Sequence, residues 1–76
     1  MTEKQLATAA LIDVLTRCLA TPAGGRQVLV DAADLATASL ASAALASLKV
    51  NDVSVVENNG AAFVALGKEG GGFSWE

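Results

Sequence analysis

The sequence predicts an α+β domain of three helices packed on a small antiparallel sheet, in the order α-β-α-α-β-β. Three observations lead to this reading. Apolar residues recur at helical spacing in the first twenty residues. A short β-prone run then leads into a stretch rich in Ala and Leu. Finally, an Asn-Gly pair separates two further β-prone runs.

The first helix opens at Thr2, which forms a capping box with Gln5 three residues later. Leu11, Val14, Leu15, Cys18 and Leu19 build an apolar stripe, with Ile12 at its edge. Asp13 and Arg17 form an i,i+4 pair on the wet side, worth ~0.3 kcal/mol. Thr21-Pro22-Ala23-Gly24-Gly25 stops the helix.

Gln27-Val28-Leu29-Val30 is the first strand. Asp31, with Asp34 three residues on, suits an N-cap followed by a second acid that favours the helix dipole. From residue 32 to 49 the large side chains argue for two short helices. On one continuous helix Leu35, Leu40, Leu45 and Leu48 spread almost all the way round. A break near Thr37-Ala38-Ser39, with Ser39 as the second cap, gathers Leu40, Ala44, Leu45 and Leu48 into one arc.

Val53-Ser54-Val55-Val56 and Ala62-Phe63-Val64-Ala65-Leu66 flank Asn58-Asn59-Gly60. With Asn59-Gly60 as a two-residue turn, Val56 faces Phe63, Val55 faces Val64 and Val53 faces Leu66. One face then carries Val53, Val55, Val64 and Leu66 and is the natural core face. The other carries Ser54, Val56, Phe63 and Ala65, and leaves Val56 and Phe63 in need of a cover. Residues 1–66 form the compact domain, and 67–76 a Gly-rich tail ending in Phe73 and Trp75.

Helix, strand, two helices and a hairpin form an order that resembles the winged-helix family over residues 3–66. The resemblance puts residues 39–49 at the recognition-helix position and Asn58-Asn59-Gly60 at the tip of the wing. Winged helices that bind DNA use polar and basic side chains on that helix and on the wing. Here the helix offers Ser39, Ser42, Ala43, Ala46, Ser47 and Lys49, and Lys49 is the one cation between residues 31 and 66.

The 76 residues carry five Lys plus Arg against eight Asp plus Glu, a net charge of −3. Scattered cations on an acidic chain match a phosphate backbone poorly. A polyanion would need Arg17, Arg26, Lys49 and Lys68 on one ridge beside the third helix. The chain has no His, so Ser–His–Asp and Cys–His sites are ruled out, and one Cys without His cannot make a zinc site. Gly24-Gly25-Arg26 lacks the length and the Lys of a phosphate loop. Capping accounts for the nearest carboxylate pair, Asp31 and Asp34, and Cys18 reads as a small buried hydrophobe. No catalytic residue, metal or cofactor is expected. Charges within residues 1–20 argue against a signal peptide and a membrane span, which makes an intracellular setting the expectation.

Two surfaces remain. Ser39, Ser42, Ala43 and Ala46 let another backbone approach closely, or else are solvated helix formers. Val56, Phe63, Phe73 and Trp75 either dock a partner or close over one another. The expected function is a non-enzymatic protein-binding or self-associating module without membrane attachment, of the accessory or structural kind that viruses carry. The alternative is a winged-helix nucleic-acid-binding regulator.

Overall fold

In the computed structural model, residues 2–21 and 25–68 are described in full and residues 73–75 through their backbone. The elements are α1 (Glu3–Ala20), β1 (Gln27–Ala32), α2 (Leu35–Ser47), β2 (Val53–Asn58), β3 (Ala61–Leu66) and β4 (Phe73–Trp75). The class is α+β. The described residues form two helices, where three were expected.

α1 starts as its sequence dictates. The Gln5 backbone N–H donates to Thr2 Oγ1 at 3.2 Å, and the Thr2 N–H donates back to Gln5 Oε1 at 2.9 Å. Asp13 and Arg17 pair at 3.0 Å. The Arg17 Nη2 also donates to the Asp31 carbonyl oxygen at 2.8 Å, tying α1 to β1. Val14 and Cys18 are buried, and Leu11 and Leu15 pack against the core. Leu19, expected in the same stripe, is 60% exposed. Thr21 caps the helix C-terminus, with its N–H bonded to the Cys18 carbonyl oxygen. The Pro-Gly stop expected at 22–24 lies outside the described residues.

α2 corrects the sequence reading twice. Its cap is Asp34, whose Oδ1 accepts the Thr37 N–H at 2.8 Å; Asp31 belongs to β1. The helix also runs unbroken through Thr37, Ala38 and Ser39, so Ser39 caps nothing. Its core stripe is Thr37, Ala38, Ala41 and Leu45, spaced i, i+1, i+4, i+8. A break there would gather Leu40, Ala44, Leu45 and Leu48 into one arc. In fact small side chains take most of the core face, and Leu35, Leu40 and Leu48 are 47%, 59% and 62% exposed. The helix ends in a Schellman motif, with Val50 N–H bonded to the Leu45 carbonyl and Lys49 N–H to the Ala46 carbonyl. Lys49 holds the left-handed position at φ 67.

The hairpin forms in the expected register, with Val53 opposite Leu66, Val55 opposite Val64 and Val56 opposite Phe63. Asn59 at φ 52 and Gly60 at φ 82 give the two positive φ values of a type I′ turn. The expected core face is the observed one: Val64 and Leu66 are buried, and Val53 and Val55 pack against the cluster. β1 pairs antiparallel with β3 and supplies Val28, Val30 and Ala32 to the same core.

The sheet order is β2-β3-β1-β4. The expected antiparallel sheet is extended by β4, which lies parallel to β1 with Trp75 aligned on Leu29. Both helices cover one face. α1 packs on β1 and on α2, while α2 packs on β2 and β3. The result is a thin two-layer body whose smallest extent is 16 Å.

Candidate functional site

The hairpin places Val56 and Phe63 as a cross-strand pair on the face of the sheet away from the helices, and both are half-buried. That face also holds Leu29 and Ala65, which are buried yet lie outside the core cluster. Phe73 and Trp75 belong to β4, at the edge beyond β1, so two strands separate them from Val56. Their side chains lie outside the described residues. Thus Val56, Phe63, Phe73 and Trp75 share one sheet but stand on three different strands.

On α2, Ser39, Ala43 and Ala46 are exposed and Ser42 is half-buried. A small-residue surface therefore exists where the sequence puts it. The sequence reading missed the large side chains that accompany it. Leu6, Ile12, Leu19, Leu35, Leu40 and Leu48 are all about half exposed or more, and all belong to the two helices or the α2 cap. Amphipathic spacing could not show this, because α2 carries Leu on several sides and spacing alone does not say which side meets the sheet.

Charge is dispersed over this body. Arg17 is held by Asp13 and the Asp31 carbonyl oxygen. Arg26 and Lys68 border a cavity of about 520 Å³ at one end of the sheet, together with Asp52. The cavity floor is apolar, with Cys18, Leu45 and Leu66. Burial pushes the Cys18 thiol above its ordinary range, more than the nearby Arg17 charge lowers it, so it is a weak nucleophile. Asp34 has its carboxyl held below the usual range by the Thr37 N–H. That shift reflects helix capping.

Among the described residues, no group of three or more His, Cys, Asp or Glu is placed to hold a metal ion. No helix among them is long and apolar enough to cross a membrane. No protein-family model matches the chain, and no curated protein or solved structure shows significant similarity to it.

Proposed function

We propose that this chain is a non-enzymatic protein-binding or assembly module. The carrying observation is the outer surface of the helical layer. Six large hydrophobic side chains, between 47% and 62% exposed, belong to its two helices or the α2 cap, on a body with few charges. Apolar surface concentrated on one layer favours association with protein over solvation. The antiparallel strands run β2-β3-β1 behind a helical layer, while one continuous helix stands where the winged-helix order has two. Intracellular action as an accessory or structural component fits this reading.

The test compares the chain with a Leu19→Lys, Leu40→Lys variant, both positions being well exposed. Each is purified from its native host, and the mass of the recovered species is measured in solution. The expected result is a stoichiometric complex with another protein for the parent chain and its loss in the variant. Identical monomeric masses for both would overturn the proposal.

A nucleic-acid-binding reading keeps one supporting observation, the shared position of Arg26 and Lys68 at the end of the sheet. It requires duplex binding that weakens steeply as salt rises. No binding at low salt removes it.

A further inference from the structure

We infer that two copies of this chain pair through the open edge of β2, joining their sheets into one. The inference goes beyond the protein-binding reading: it adds a second surface, the sheet edge, and one partner for it, a second copy. β2 is the sheet's outermost strand beside β3. It is six residues long and pairs with β3 in an unbroken register, without a bulge. It contains no Pro or Lys, and Glu57 is its single charge. Of the devices by which proteins block strand addition, this edge carries one, the charge of Glu57.

The hairpin fixes which backbone groups are open. Across a two-residue type I′ turn the closing residues, Asn58 and Ala61, exchange hydrogen bonds. Hydrogen-bonded pairs alternate along an antiparallel ladder, so Asn58, Val56 and Ser54 point their N–H and C=O groups at β3. The same phase continues at Asp52, whose carbonyl oxygen accepts the Gly67 N–H at 3.0 Å. Val53, Val55 and Glu57 therefore direct their N–H and C=O groups outward.

These groups select one register. An antiparallel pair centred on Val55 sets Val55 against Val55 and Val53 against Glu57, and forms about six ladder hydrogen bonds. Asp52 then faces Asn58, and no acid faces an acid. Sliding by one residue so that Ser54 faces Val55 opposes Asp52 to Glu57. It also turns the two helical layers to opposite faces of the sheet. Centring on Glu57 sets like charges directly opposite. The Val55 register is the one that pairs all three outward-facing residues of β2 and opposes no like charges; centring on Ser54 or Val56 pairs two of the three.

The helical layer fits the same axis. α2 packs on both β2 and β3, so its axis runs near the line between them. With strands ~4.8 Å apart, a two-fold axis at the β2 edge brings the two α2 axes to about 10 Å, within the packing distance of helices. β1 and β2 are parallel and α2 connects them. The right-handed crossover of such a unit turns the flank with Leu35, Ser39, Ser42 and Ala46 toward the open edge. Small side chains on that flank allow the approach, and Leu35 loses its exposure. About ten residues per copy take part, fewer than in a standard interface, so the dimer belongs to the weak class.

The test is sedimentation equilibrium of the full chain from about 1 μM to about 1 mM, with amide exchange measured at both ends of the range. The inference expects a reversible dimer and protection of the Val53, Val55 and Glu57 amides that grows with concentration. Glu57→Pro removes an outward donor without touching the β3 ladder, and should weaken the dimer at least tenfold. Ala46→Glu puts a bulky charge on the small-residue flank that meets the second copy, and should do the same if Glu57→Pro disturbs folding. Leu40→Lys, on the other flank of α2, should leave the dimer intact. A monomer throughout the range overturns this inference while leaving a different protein partner open. A dimer that survives Glu57→Pro and Ala46→Glu but not Leu40→Lys also overturns it, and locates association on the Leu40 flank of α2.

Discussion

Leu45 and Leu40 are both leucines of α2, and the continuous helix assigns them opposite fates. Leu45 is fully buried, while Leu40 is 59% exposed. Leu45→Ala leaves a cavity whose helical neighbours, Ala38 and Ala41, have no side-chain length with which to fill it. A loss of about 3–4 kcal/mol follows, in the middle of the range for leucine deletions in cores. A domain of this size has about 4–11 kcal/mol of total stability, so that single change removes a large share of it. It corresponds to a fall in Tm of about 12–30 °C. Leu40→Ala removes exposed surface and substitutes a better helix former, so it should stay within about 0.5 kcal/mol of the parent. Urea unfolding at micromolar concentration reads both, through midpoints at constant slope. Equal losses for the two variants would refute the single-helix assignment, because that is what two short helices with Leu40 and Leu45 in one arc require.

Three further outcomes follow from local chemistry. The Thr37 N–H holds the Asp34 carboxyl below its ordinary range, so this contribution is complete above the unfolded carboxyl value and is lost as pH falls through the folded one. Urea midpoints from pH 2 to 7 should show a shallower acid slope for Asp34→Asn, which keeps a capping oxygen, and a lower neutral-pH midpoint for Asp34→Ala. The raised Cys18 thiol works in the opposite direction: its contribution is full below the ordinary thiol value and declines as pH rises toward the folded one. A thiol reagent should accordingly label folded Cys18 at least roughly tenfold more slowly than the urea-unfolded chain. Lys49 occupies the left-handed position of a Schellman motif at φ 67, so Lys49→Gly should raise stability by about 1 kcal/mol in the same unfolding assay. No gain there would show that the strain is relieved elsewhere.

What the sequence made legible was local. Thr2 and Gln5 cap each other across three residues, and Asp13 reaches Arg17 across one turn. Asn59-Gly60 sets the hairpin register because few other residue pairs accept two positive φ values, and the register then decides that Val64 and Leu66 face inward. What was not legible depended on tertiary context. Asp31 and Asp34 are equally good caps in sequence, and β1 extends to Ala32 only because β3 is there to pair with it. The association of Phe73–Trp75 with β1 is likewise a long-range event that a glycine-rich stretch does not announce. Of the candidate site, the small-residue surface on α2 and the Val56–Phe63 pair could be placed from spacing. The exposed leucines could not, because hydrophobicity was itself the signal used to place residues inside.

That inversion of size carries the functional argument. Ala38 and Ala41 are fully buried, and a helix that meets a sheet through alanine lies close to it. The close approach leaves little volume for leucine between the layers, and Leu45 alone of the α2 leucines fills it. The others are directed outward because the helix cannot turn them in without lifting Ala38 and Ala41 off the sheet. Each large side chain left about half exposed forgoes on the order of 1 kcal/mol of burial. Six of them together amount to a large fraction of what holds a domain this small in its fold. Polar residues at those positions would expose less apolar surface and stay more soluble. The presence of these six on the helical layer supports the association proposed for this chain. The same close packing of α2 on β2 brings its small-residue flank to the distance at which a second helix can meet it.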